Sequence, residues 1–261
     1  MHLQRVEAAL AAALAESARR CGGDVVQRDG LLLVAGRHPC PLIVNGALRT
    51  GSMNAATVLE RAAEFFGSRR HRYELWTRDG RDADLEAAAL SAGMQLAVEL
   101  HAMVADASPP LPALGAGVEI CLVEDAGGVA AFTGVVARGF ENEAPDAAGL
   151  VRSVFADPRS LLAPDTRAFV VRERGEPVAA AMTMLQAGVA WVGWVATRPG
   201  FRGRGLGRLA AAAATRAGFE LGADLASLEA TKMGVPVYLG LGYRETSRYR
   251  NYWHAGTGAA A

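Results

Sequence analysis

The stretch Val195-Ala-Thr-Arg-Pro-Gly-Phe-Arg-Gly-Arg-Gly-Leu-Gly-Arg-Leu209 passes from an apolar strand through a glycine loop into an alanine-rich helix. The spacing Arg202-x-x-Gly205-x-Gly207 leaves no side chain where main chain would have to approach a ligand, so consecutive N–H groups can converge on one anion. The helix that follows, expected near Arg208 to Leu221, adds its positive end. Arg198, Arg202, Arg204 and Arg208 share the segment with no acidic residue among them, which points to an anionic partner such as a pyrophosphate. A dinucleotide fingerprint fits less well. The third glycine falls at 207 where that pattern wants position 208, and Asp224 stands at the start of the next strand when the ribose-binding acid belongs at its end.

A second motif lies downstream. Gly234-Val-Pro-Val-Tyr238-Leu-Gly-Leu-Gly242-Tyr243 reads as a short helix carrying a tyrosine, then a Gly-aromatic pair leading into a last strand. With Arg202, Gly205 and Gly207 before it, and one helix and one strand between, the chain from about Gly117 to His254 resembles the acyl-CoA-dependent N-acyltransferases of the GNAT superfamily. The resemblance implies an α+β fold, mixed α/β, with a central, mostly antiparallel sheet flanked by helices. It also implies acetyl-CoA as co-substrate and no metal. Val195 and Thr197 would give main-chain contacts to pantetheine. The loop Gly203, Arg204, Gly205, Leu206, Gly207 and Arg208 would hold the pyrophosphate, with Arg202 and Arg204 adding charge. Tyr238 occupies the place of the family's general acid, and Thr231 stands where many relatives carry a cofactor-contacting asparagine.

Amide formation from a thioester also needs a base. Alternation puts Leu225, Ser227, Glu229 and Thr231 on one strand face, so Glu229 can reach an amine directly or through water. Water alone, or Glu141 and Glu143 on the loop from Gly139 to Asp146, are the alternatives. The strand Trp191 to Thr197, where relatives often place a glutamate, has none. No cysteine is placed for an acyl-enzyme, so direct attack in a ternary complex is expected. The competing reading is an acyl-CoA-binding sensor or interaction module without turnover.

Composition sets the frame. The 261 residues are 51% hydrophobic and 21% charged, with 27 basic against 27 acidic side chains, so neither nucleic acid nor an anionic membrane is an expected partner. A small-molecule or peptide amine acceptor is. Cys21, Cys40 and Cys121 form neither a CxxC pair nor a disulfide framework, and a cytoplasmic setting is expected. The uncharged run Pro177 to Thr197 is broken at Gln186-Ala-Gly188 and reads as two buried strands rather than a membrane span. Leu3, Val6, Leu10 and Leu14 recur at helical spacing and make the N-terminus an amphipathic helix.

Three prolines and two glycines between Ala107 and Gly117 mark a boundary. We therefore expect an N-terminal domain over 1–106, a linker over 107–117, a catalytic domain over 118–255 and a disordered tail over 256–261. The first half repeats the order strand, helix, glycine, strand in Arg72 to Thr77, Leu85 to Leu90, Gly93 and Leu96 to Val104. Its Arg49-Thr-Gly-Ser-Met-Asn-Ala-Ala lacks the two-glycine spacing, with Ser52 or Asn54 as a helix cap. It reads as a degenerate GNAT-like domain of a tandem pair, or as an unrelated α/β cap, in a monomer or homodimer.

Overall fold

The computed structural model describes residues 2–144 and 146–254, so the expected disordered tail at 256–261 lies outside the described residues. In chain order the elements are α1 (His2–Arg20), β1 (Asp24–Arg28), β2 (Leu31–Ala35), β3 (Asn45–Arg49), α2 (Ala55–Gly67), β4 (Glu74–Arg78), α3 (Ala83–Ser91) and β5 (Gln95–Ala105). Residues 108–115 carry neither helix nor strand. Then come β6 (Val118–Leu122), α4 (Ala126–Gly139), α5 (Ala147–Val154), β7 (Thr166–Glu173), β8 (Glu176–Gln186), β9 (Val189–Thr197), α6 (Leu206–Glu220), β10 (Leu225–Thr231), α7 (Val235–Leu239) and β11 (Arg244–Trp253).

Local chemistry explains most boundaries. In α1, Val6, Leu10 and Leu14 are buried on one stripe, as their spacing requires. Asn54 caps α2 by accepting from the Thr57 N–H, and Asp125 caps α4 by accepting from Gly128. The hairpins β1–β2, β7–β8 and β8–β9 turn on Asp29-Gly30, Arg174-Gly175 and Ala187-Gly188, each pair with both φ angles positive. That conformation matches the twist of the flanking strands. The charge-free run from Pro177 is thus a buried hairpin.

The eleven strands of the described residues form one sheet in the order β1-β2-β3-β4-β11-β5-β10-β9-β8-β7-β6. The order shows an exchange between the halves. β5, from the first half, lies between β10 and β11 of the second, while β11 lies between β4 and β5 of the first. The long β5–β11 pairing, from Val104↔Arg244 to Gln95↔Trp253, forms the middle of the sheet. Among the described residues, parallel pairs occur only at β3–β4 and β9–β10.

Helices cover both faces. α1, α4 and α5 pack on one, through clusters that include Leu10, Leu14, Trp76 and Tyr249, and Phe132, Leu150 and Trp194. α2, α3, α6 and α7 pack on the other, with Phe66, Leu75 and Leu85 in one cluster and Leu209, Leu228 and Tyr238 in the next. The alanine run of α6 lets it lie low on the sheet. A Cβ at Gly218 would stand 2.3 Å from the Cβ of Ala190, so the helix axis is held close to β9. This close seating fixes where the N-terminus of α6 emerges.

Candidate active site

β9 and β10 run parallel only from Val189↔Leu225 to Trp191↔Ser227 and then part. β9 continues to Thr197 with β8 on one side only, so its other edge, from Val192 onward, has no strand partner among the described residues. The separation has a local cause. A bulge interrupts the β8–β9 register between Ala180↔Ala196 and Met182↔Gly193, and Trp194 sits in it with φ +53°. A bulky residue in that region costs about 1–3 kcal/mol and persists only where packing enforces it. Here the indole stands 5.1 Å from the Phe155 ring and 5.8 Å from Phe140, and is 3% exposed. The half-buried Val195 and Thr197 follow on the freed edge, which is shaped to accept an extended chain as an added strand would be.

The glycine loop closes the end of this edge. Gly203 and Gly205 have φ of +75° and +77°, and nothing stands within 4 Å of where a Cβ would be on either. Gly205 is the N-cap of α6 and offers no side chain to its first amides. The helix begins at Leu206, two residues before the expected Arg208, because glycine in the left-handed region ends the loop there. Leu206, Gly207 and Arg208 therefore form the first turn, whose N–H groups have no intrahelical acceptor. Leu206 anchors this turn in the core, and a Cβ on Gly207 would lie 2.6 Å from Thr197 Oγ1. The helix start is pressed directly onto the end of β9.

The arginines are placed differently from their sequence reading. Arg202 donates to the carbonyls of Thr197 (3.2 Å) and Gly139 (3.0 Å), and Arg208 to that of Gly240 (2.7 Å). Arg204 pairs with Glu173, and Arg198 with Glu176. The local segment has no acid, but β7 and β8 bring two. The guanidinium groups brace the loop and its flanks, which leaves the amides of the first turn as the donors that an anion could meet.

At the fork between the strands sits Glu229. Its Oε2 accepts from Trp191 Nε1 at 2.9 Å, and its Oε1 is buried with no partner among the described residues. Burial pushes its carboxyl up to about 7, and the indole bond opposes part of that rise. Thr231 is exposed at the open end of β10. Tyr238 belongs to the α6–α7 side with Leu228 and Ala230, so it and Glu229 lie on opposite faces of β10. The Tyr238 ring stands edge-on to Tyr243 at 5.8 Å, and the Tyr243 hydroxyl pairs with Thr215 Oγ1 at 2.7 Å. Burial raises the Tyr238 phenol above its ordinary value. Proton loss from this phenol is thereby made costlier, because burial disfavours the phenolate.

The acids between α4 and α5 stand elsewhere. Glu141 lies 3.6 Å from Arg138, and both line a cavity of about 630 Å³ between the two helices, with Thr133, Arg152 and Phe155. Asp146 caps α5 and meets His38 Nε2 at 3.0 Å. Sequence reasoning missed Trp191 as Glu229's partner, although the glycine two residues on was a signal. A Cβ at Gly193 would fall 2.2 Å from the Trp191 ring.

The corresponding place in the first half is filled. β3 ends at Arg49, one residue beyond its last pairing with β4, so the two strands do not fork. The buried Arg49 guanidinium bonds Asp82 (2.7 Å), Asp84 (2.6 Å) and the Met53 carbonyl (3.0 Å). Among the described residues no cluster of metal-ligating side chains occurs, and no helix is long and apolar enough to cross a membrane. The three cysteines are free thiols.

Comparison with curated proteins found no match. A GCN5-related N-acetyltransferase from Kribbella flavida superposes with a TM-score of 0.72 at 22% identity, covering 96% of this chain and 97% of that one. One from Sphaerobacter thermophilus gives 0.61 at 17%, covering 88% and 75%. A tandem GNAT protein from the clavulanic acid biosynthesis pathway gives 0.56 at 14%, covering 90% and 80%. These likenesses establish the fold, a large mixed sheet flanked by helices. Residues 136–243, which contain the β9–β10 fork, the glycine loop and Tyr238, match the acetyltransferase (GNAT) family model, which identifies that segment as a domain of the GNAT superfamily.

Proposed function

We propose that the protein is an N-acetyltransferase that moves an acetyl group from acetyl-CoA to the primary amine of a small molecule or peptide. The observation that carries this reading is the unpaired β9 edge running from the Glu229 fork into the open amides at the start of α6. Acetyl-CoA supplies the acyl thioester. Val195 and Thr197 hold its pantetheine arm by main chain, and Gly203, Arg204, Gly205, Leu206, Gly207 and Arg208 hold its pyrophosphate through amides. Arg202 holds the loop to Thr197 and Gly139, and Thr231 lines the open end of the cleft.

The fit is physical. Two glycines with open space at their Cβ positions let main chain close on a diphosphate, and side chains larger than hydrogen would fill that space. Glu229, titrating near 7, accepts a proton from the amine at neutral pH, and Tyr238 stays a neutral donor for the departing sulfur. Attack is direct, in a ternary complex. The first half, 1–106, acts as a degenerate GNAT-like domain joined through 107–117 to a catalytic domain over 118–255. It takes the structural place of a second subunit by lending β5, in a chain that works as a monomer or homodimer in a reducing, cytoplasmic compartment.

One observation favours a second reading. Glu229 and Tyr238 sit on opposite faces of β10, as they would in an acyl-CoA sensor that never turns over. Turnover separates the two. Purified protein with acetyl-CoA and a panel of primary amines, including small metabolites, peptide N-termini and lysine peptides, should release free thiol with at least one amine. Tight acetyl-CoA binding with no thiol release across the panel would select the sensor.

A further inference from the structure

We propose that Trp191 is a positioning residue for Glu229: its indole N–H takes one carboxylate oxygen and leaves Oε1 as the atom that receives the proton of the acceptor amine. The inference rests on the reading of Glu229 as base given above. Its support is geometric. Trp191 and Ser227 are the last residues of the β9–β10 pairing, so the indole is rooted in paired backbone immediately before the fork. The ring is 5% exposed and folds over Gly193, where no side chain fits. A buried indole N–H needs an acceptor, and Glu229 Oε2 at 2.9 Å is that acceptor. Oε1 is buried and has no partner among the described residues. Ser227 Oγ, two residues back on the same face, is likewise buried without a partner.

The titratable neighbour on that face is Tyr249 of β11, which also feels the charges of Glu7 of α1, Arg78 of β4 and Arg81. None of these bonds the Glu229 carboxylate, so the indole is its hydrogen-bond donor. A donor to the charged form favours that form, which opposes the effect of burial.

The ammonium N–H bond breaks and an O–H bond forms on Oε1, leaving a free amine lone pair. That pair forms the N–C bond to the thioester carbonyl while the C–S bond breaks toward sulfur. The sulfur takes the proton of Tyr238, the amide nitrogen loses its second proton to restore the phenol through solvent, and Glu229 releases its proton to water. Trp191 is chemically unchanged.

The test is a ¹³C titration of the Glu229 carboxyl in the full chain without co-substrate, its resonance identified by its absence from Glu229→Gln. The wild type should titrate near 7, and Trp191→Phe about one unit higher, since one hydrogen bond to a carboxylate is lost. An unchanged or lower midpoint in Trp191→Phe overturns the inference. Should Trp191→Phe fail to fold, a benzothienyl-alanine at 191, with sulfur in place of the N–H, gives the same reading. The pH profile of thiol release with a responsive amine tests the base reading separately. Loss of the acidic limb in Glu229→Gln supports Glu229 as base, and a wild-type limb there rejects it whatever the titration shows. With Glu229 as base, Trp191→Phe should move that limb up by about one unit and lower the rate at pH 7 about fivefold.

Discussion

At the residue scale, the proposed chemistry rests on two buried groups whose surroundings oppose their ionisation. Glu229 loses solvent and gains a single indole donor, which leaves it near 7, while Tyr238 loses solvent and gains no donor to its oxygen among the described residues. A phenol held neutral can donate throughout the assay range, and its hydrogen bond strengthens only as charge develops on sulfur. Tyr238→Phe should therefore lower kcat about 10²-fold or more and leave acetyl-CoA affinity within about threefold. Steady-state rates beside calorimetric affinities check this, and an unaffected kcat would make Tyr238 a packing residue. The sequence singled out these two side chains by motif order and strand alternation. Their environments were not, because burial of Glu229 depends on Trp191 from another strand and on the fold over Gly193.

At the scale of elements, the site is a junction between the end of β9 and the start of α6. The order of strand, loop and helix was readable from 195 to 209, and the β8–β9 hairpin from its Ala187-Gly188 turn. The first turn of α6 was placed two residues late. The arginines were read as anion-facing because Glu173 and Glu176 lie more than twenty residues upstream and reach Arg204 and Arg198 only through the sheet. The bulge at Trp194 leaves no sequence mark, since it is imposed by packing on Phe155 and Phe140. The junction's tolerance is narrow. Gly207→Ala would crowd Thr197 Oγ1 at 2.6 Å and should cost about 1–3 kcal/mol in urea unfolding, as overpacking does. Adding Thr197→Ala should restore most of that loss. Strict additivity of the two changes would show that the contact does not limit the seating of α6.

At the scale of the whole molecule, the halves share a sheet through exchanged strands. A repeat of strand, helix and strand was visible in both halves, yet the crossing of β5 and β11 was not, because strand order beyond neighbours is a tertiary choice. The first three strands, β1 to β3, were also unread, their short five-residue runs giving little periodicity. The exchange has a consequence for folding. Without β5, a fragment over 118–254 leaves the facing edges of β10 and β11 unpaired, and loses the buried Ala102, Met103, Val104 and Ala105. Unpaired edges of that length promote association. Each half expressed alone should be insoluble or aggregated, and co-expression should yield a soluble complex. A monomeric, cooperatively unfolding 118–254 fragment would contradict this.

The central claim is that the amides from Gly203 to Arg208, beside the open edge of β9, form an acyl-CoA site, and calorimetric titration tests it most directly. Wild-type protein should bind acetyl-CoA and desulfo-CoA with micromolar affinity and NAD(P) far more weakly. Gly205→Glu, which places a carboxylate at the N-cap of α6, should abolish the binding while its circular dichroism stays native. No acetyl-CoA binding by the wild type, or equal binding by the folded variant, would contradict the account.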